Sequence, residues 1–329
     1  MTSKQVVRDC IHFRHPAWLP LFYKNMDQDK SDILMIPYAA AADFAPQAPG
    51  EDEWGVVWED LNNGTMGQPV FSPLAGDTGL LDAYRFLDPD APGRFEEARR
   101  AAQRHPDKYL IGDLRLSGFA ALTGLRGFST ALEDLYLEPA YFRRLLDAVC
   151  EVENGLIRNF LAAGMDGIAF FDDWGSQQGL LISPAQWREF FAPVYRRQFD
   201  LVHSLGGDVY FHSCGDVRAI LEDLIGLGAD VLNLNQPDIF PMEWLSRFRG
   251  RACFNCPVDH QTVAVYGNDA EIRAYVDSLC ENLASSQGGY IGYIEEYRCV
   301  GVSDENYRSI SHAFEGRKFT AYPPKEACL

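Results

Sequence analysis

The sequence predicts an α/β protein, and within that class a single-domain (β/α)₈ TIM barrel. Three observations predict it. Short apolar runs alternate with helix-like segments about eight times along the 329 residues. The runs are continuous rather than alternating, as in parallel strands covered on both faces. Residues capable of chemistry collect just after those runs, at the pole where such a barrel keeps its active site. A doubly wound open sheet is the competing class. No Gly-x-Gly-x-x-Gly follows a run and no Gly-Lys-[Ser/Thr] loop exists, so its nucleotide-binding forms lack support.

The first strand is expected at residues 18–23, and the second at 32–38 or 54–58. The stretch 24–92 is irregular and rich in Pro, Asp and Gly. No linker is visible, so residues 1–329 read as one domain, with about 1–92 folded onto the barrel. A third strand covers 109–114. A helix follows over 139–163, where Tyr141, Leu145, Ala148, Val152, Leu156 and Phe160 make one apolar face and Gly164 stops it. Residues 167–171 form the next strand. Ser183 caps and Pro184 opens a helix running to His203, with Pro193 a kink. Strands are then expected at 208–211, 230–236, 251–256 and 289–294, with helices at 218–227, 269–284 and 303–314 between and after them.

Composition narrows the function. With 47% hydrophobic residues the chain can bury a large core without staples. A net charge of −18 argues against nucleic acid as a partner. No run of 18 apolar residues suggests a membrane span, and the N-terminus lacks the apolar core of a signal peptide, so the chain reads as cytoplasmic. The eight cysteines, without regular spacing, read as reduced thiols. Cys253-x-x-Cys256 has no second pair, and Cys253 reads as core.

The strand ends carry Asp113; Asp172, Asp173 and Trp174; His212 and Cys214; Asn233, Asn235 and Gln236; Cys256 and Asp259; and Glu295, Glu296 and Cys299. Some of these have structural competitors: Asp at a strand end also caps helices, and Asn and Asp favour turns. His212 and Cys214 are harder to dismiss. Alternate residues of a strand share a face, and zinc accepts imidazole and thiolate with a third protein ligand and one open position. Asp172 and Asp173 are the candidate catalytic acids. Trp54, Trp58, Trp174, Asn235 and Gln236 are candidates to line a small-molecule pocket.

Five stretches together resemble the uroporphyrinogen decarboxylase superfamily, in particular its branch of zinc- and corrinoid-dependent methyltransferases. They are 52–55 with 65–67; 171–179 leading into 181–184; 211–216; 228–233 with 236–237; and 288–291. The resemblance implies a (β/α)₈ barrel, with zinc held by a His-x-Cys pair and a third ligand after the last strand. The pair carries over to His212 and Cys214. Ungapped counting puts Glu296 at the third position, and Cys299 stands three residues later; Cys299 is preferred. It further implies methyl transfer between a small thiol, methoxy or related compound and methylcobalamin carried by a partner corrinoid protein. This chain has no Asp-x-His-x-x-Gly motif of its own to hold a corrinoid. The alternatives are a metal-independent decarboxylase, for which the arginine pair expected near 15–24 is missing, and a non-catalytic ligand-binding barrel. A homodimer is kept open as its assembly.

Overall fold

A computed structural model describes residues 1–61, 67–295 and 298–322. Eight parallel strands organise it: β1 (Leu21–Lys24), β2 (Ile33–Pro37), β3 (Tyr109–Leu116), β4 (Gly167–Phe171), β5 (Asp208–Ser213), β6 (Val231–Leu234), β7 (Cys253–Phe254) and β8 (Gly292–Glu295). Strands β2 to β7 hydrogen-bond in chain order as one six-stranded sheet, and β8 pairs with β1. A parallel bridge from Phe254 to Tyr290 joins β7 to the approach of β8. On the other side the Asp32 amide donates to Leu21 O at 2.8 Å, between β1 and β2. This is the (β/α)₈ arrangement expected from the alternation of runs and helices.

The long helix Pro139–Ala162 begins with the predicted proline and buries the predicted face. The segment after Ser183 differs from its expected form. Pro193 does not kink one helix; the chain breaks at Phe191 into Pro184–Phe190 and Ala192–Ser204, with the proline in the first turn of the second. A proline there lacks only an N–H that the first turn leaves unpaired anyway. Most expected strands begin and end within a few residues of the observed ones. β7 is the exception, two residues long rather than six.

The second strand is Ile33–Pro37, not the 54–58 alternative. Residues 54–58 belong to a segment that folds over the C-terminal ends of the strands and carries a short antiparallel pair, Val57–Glu59 with Gln68–Phe71. Arg94 fastens this segment to the end of β2. It is fully buried, pairs with both oxygens of Glu53 at 2.6 and 2.7 Å, and donates to Ala39 O at 2.9 Å. A buried guanidinium is tolerated because its donors are matched by carboxylate and carbonyl acceptors.

Register sets the rows of the site. Phe171 of β4 faces His212 of β5, and His212 faces Asn233 of β6. These side chains therefore leave the sheet at one level.

Candidate metal centre

His212 ends β5 with its ring almost fully buried. Its Nδ1 lies 2.6 Å from Asn233 Oδ1. The amide cannot be reversed without loss, because Asn233 Nδ2 donates to Asn255 O at 2.5 Å. Asn255 is fixed in turn: it accepts from the Tyr210 hydroxyl at 2.8 Å and donates to Ile291 O at 2.9 Å. This relay runs across β5, β6, β7 and the approach to β8. It assigns the neutral-ring proton to Nδ1 and leaves the Nε2 lone pair for a ligand, the usual support of a metal-bound imidazole.

Two further donors converge on that nitrogen. Cys214 Sγ lies 3.6 Å from His212 Nε2, and Asp173 Oδ1 lies 3.4 Å from it. The ligand atoms of Asp173, His212 and Cys214 all fall within 4.8 Å of one another. Nitrogen, thiolate sulfur and carboxylate oxygen form a donor set that suits zinc, and three protein ligands with an open position are the catalytic form of such a site. The chemistry of the donors and the support of His212 both fit the metal.

Charges agree with this reading. Burial pushes the Asp173 carboxyl up, but hydrogen bonding and charge interaction with His212 outweigh it and bring it down to about 2. Burial would lower His212, yet Asp173 and Cys214 lift it to about 10. Without a cation, a proton on His212 faces the Asp173 carboxylate; a metal ion would take its place.

The two loops that deliver these ligands are zipped together by backbone. Cys214 N donates to Asp173 Oδ1 at 2.9 Å, Gly175 N to Cys214 O at 3.1 Å, and Asp216 N to Ser176 O at 2.8 Å. Gly215 has φ +74°, and a Cβ on it would sit 2.2 Å from the Gly175 carbonyl carbon. Only two glycines let the loops approach this closely.

The site opens into a cavity of about 730 Å³ whose lining includes His212, Asp173, Asn235, Phe171, Trp54 and Trp58. Of the residues the sequence offers for the pocket, Trp54, Trp58 and Asn235 are therefore placed at it. Trp174 is not. It is completely buried, stacks on Phe119 at 4.7 Å between ring centroids and donates to the Tyr195 hydroxyl at 2.8 Å, so it belongs to the core. Gln236 acts on the loop instead: its Oε1 accepts from Gly215 N at 2.8 Å.

The sequence reading pairs Asp172 with Asp173 as catalytic acids; the structure separates them. Neighbouring residues at a strand end point to opposite sides. Asp172 turns inward, accepts from Phe119 N and Ala120 N at 2.9 Å each and from the Tyr195 hydroxyl, and so caps the helix after Ser117. Burial keeps its carboxyl well above the usual carboxylate range. Of the two third-ligand candidates in the sequence, one lies among the described residues. Cys299 lies exposed in a single turn, Arg298–Val300, and is not among the converging donors. Glu296 lies outside the described residues. Among the described residues, Asp173, just after β4, is the third donor that converges on His212 and Cys214. Cys253 and Cys256 are both fully buried.

A family model for uroporphyrinogen decarboxylase (URO-D) matches residues 66–293. The chain belongs to the uroporphyrinogen decarboxylase family. Curated members align at low identity. The uroporphyrinogen decarboxylase of Thermus thermophilus is 27% identical over 190 residues, 56% of this chain and 53% of that protein. That of Syntrophotalea carbinolica is 26% identical over 181 residues, 51% of this chain and 50% of its own. The chain thus spans about half the length of the curated family members it matches. Among solved structures, a methyltransferase from Methanosarcina mazei superposes with a TM-score of 0.70 over 96% of this chain and 98% of that one, at 16% identity. This likeness shows a shared barrel. The family model ends at Ile294's neighbour, Tyr293, so it does not reach Cys299. Among the described residues no helix is long and apolar enough to cross a membrane.

Proposed function

We propose that this family member is a zinc-dependent methyltransferase. It would move a methyl group between a small substrate bearing a thiol, methoxy or related group and methylcobalamin carried by a partner corrinoid protein. The observation that carries the proposal is the convergence of Asp173, His212 and Cys214 beside an open cavity, with His212 held by Asn233. Methyltransferase chemistry in a protein with the same barrel adds support.

Zinc, when bound, supplies a Lewis acid that lowers the pKa of a substrate thiol or draws charge from a departing aryl oxygen. His212 and Cys214 would hold it from β5, and Asp173 from β4. The Asn233–Asn255 relay keeps the imidazole ring aimed and its Nδ1 protonated. Asp173 keeps more than half its side chain exposed, so it also reaches the cavity as a hydrogen-bond acceptor for the substrate. Trp54, Trp58 and Phe171 give a flat apolar wall that excludes water from a small organic body.

The names of the curated relatives favour a second reading, a metal-independent decarboxylase of a porphyrin precursor. Electrostatics weigh against it. Among the described residues, Lys24, Arg115 and His212 bring basic side chains to the cavity, against six carboxylates, which is a poor match for a polycarboxylate tetrapyrrole. The test is metal analysis with a cobalamin assay. The proposal expects zinc in the purified protein, its loss in His212→Ala, and a change in the cobalamin spectrum when a corrinoid protein and a thiol or methoxy compound are added. Release of CO2 from a porphyrinogen by the zinc-free protein, with no change in the cobalamin spectrum, would establish the decarboxylase alternative instead.

A further inference from the structure

The six carboxylates of the cavity wall all have partners. Glu53 is paired with Arg94, and Glu295 takes Lys24 at 3.5 Å and the Tyr293 hydroxyl at 2.5 Å. Glu51 accepts from the amides of Gln47 and Ala48, and Asp52 accepts from the Trp58 indole at 2.8 Å. Asp173 is bound to Cys214 N and His212, and Asp113 accepts from the Arg115 amide at 2.6 Å. Arg115 itself is the exception among these charges. Its guanidinium meets no carboxylate within ion-pair distance among the described residues. It donates once, from Nη2 to Tyr38 O at 3.2 Å, and lies 5.4 Å from the centre of the Tyr38 ring. The other N–H donors of its planar fork remain for a ligand.

The backbone is shaped to put it there. Between Asp113 and Leu116 the β3–β4 register slips, with one more residue on β3 than on β4. Such a bulge re-aims a side chain and is frequent beside active sites. Arg115 sits in the left-handed region at φ +60°, and the Asp113 carboxylate holds its amide in that turn. A non-glycine residue in this conformation is strained and persists where the surroundings impose it. Leu116 is in register with Phe171, and Phe171 with His212. Arg115 therefore enters the cavity two strands, about 10 Å, away from the metal site. Tyr38, Trp54, Trp58, Phe44 and Phe171 supply aromatic walls to the same cavity.

We propose that Arg115 is the anchor for a carboxylate on the substrate, and that the substrate is a single-ring acid whose thiol or ether group points away from that carboxylate toward His212. The assignment of which end meets His212 rests on the methyltransferase reading; the anchoring of a carboxylate by Arg115 does not. One flat ring matches the aromatic walls, and one carboxylate matches the one guanidinium of the lining, which meets no carboxylate at ion-pair distance among the described residues. A bidentate guanidinium–carboxylate contact supplies both orientation and affinity.

The test uses 4-methoxybenzoate and its neutral counterpart 4-methoxybenzamide as probes, with binding to the full-length protein followed by calorimetry and by quenching of tryptophan fluorescence. The unmodified protein is expected to bind the acid at least about tenfold more tightly than the amide, the range of a hydrogen bond to a charged group. Arg115→Ala should lose that tenfold preference and leave the amide's affinity unchanged. Arg115→Gly, which accepts φ +60° without strain, should behave the same way and separates anchoring from misfolding. Absence of saturable acid binding, equal affinity for acid and amide, or an unaltered preference in both variants would overturn the proposal. His212→Ala should retain the preference for the acid, so failure of the methyl-transfer reading and failure of the anchor give different results.

Discussion

The two poles of the barrel use the same residue types for opposite ends. At the N-terminal pole, aspartates stand just before or at the start of four strands, and each is saturated. Asp32 accepts from Leu21 N at 2.8 Å and Ser3 Oγ at 2.5 Å. Asp166 takes Lys4 at 3.0 Å, Arg8 at 2.8 Å and Leu110 N at 2.9 Å. Asp208 takes the Tyr109 hydroxyl at 2.6 Å and His12 at 3.0 Å, and Asp230 takes His203 at 2.7 Å. At the C-terminal pole, Asp173 and Arg115 end on an open cavity, and His212 and Cys214 lie beside it with donor capacity still unspent. Charged groups that are fully matched hold strands and helices together; groups left facing a cavity are available to a metal and a substrate.

Mutations at the two poles should therefore separate cleanly. The largest effect is expected for His212→Ala, which should lower zinc affinity by about a hundredfold or more while the thermal midpoint of the metal-free protein changes little; equilibrium dialysis against a zinc chelator measures the first and calorimetry the second. Asn233→Leu removes only the support of the ring, and a loss of about 10–100-fold in zinc affinity is predicted, with His212 and Cys214 intact. Asp166→Ala inverts the pattern. It leaves Lys4, Arg8 and the Leu110 amide without their acceptor, so it should cost about 3 kcal/mol of stability in denaturant titration and leave zinc binding unchanged.

The smallest effect concerns pH. Hydrogen bonds to Asp208 and Asp230 raise His12 and His203 above 6.5. A raised histidine binds its proton more tightly in the folded state, so its stabilisation is fully present below pH 6.5 and disappears as pH climbs through the folded value. Both rings are about one-third exposed, which limits each pair to about 0.5 kcal/mol. His12→Gln with His203→Gln should flatten the fall in stability above pH 6.5. Zinc affinity should move the opposite way and increase with pH, because the proton on His212 has to leave.

Most of the barrel was legible because its strands are long apolar runs with turn residues at their ends. The helix 139–162 announced itself by a 3.6-residue face and a following glycine, and the helix 218–227 by the glycine that ends it. Strand β7 was overestimated, since the apolar run 251–256 says nothing about how many residues find a partner. The His-x-Cys spacing marked His212 and Cys214 as a candidate pair, and the family resemblance supplied the rest of that reading. Asp173 was visible as a rim acid, but its selection over Asp172 depends on the pleat, which sends one side chain to the cavity and its neighbour to the core. Trp174 misleads for the same reason: an aromatic at a strand end can point either way. Arg115 gave no signal, because a one-residue bulge in β3 and a left-handed backbone at a non-glycine residue leave no mark in composition or periodicity.

The proposed metal site takes its third ligand, Asp173, from the end of β4. Zinc affinity of Asp173→Asn beside that of Cys299→Ser tests it most directly, with X-ray absorption at the zinc edge to count sulfur neighbours. The structure predicts a loss of at least about tenfold for Asp173→Asn, none for Cys299→Ser, and one sulfur in the zinc shell of both the unmodified protein and Cys299→Ser. Two sulfurs in the unmodified protein, with affinity lost in Cys299→Ser and kept in Asp173→Asn, would contradict it.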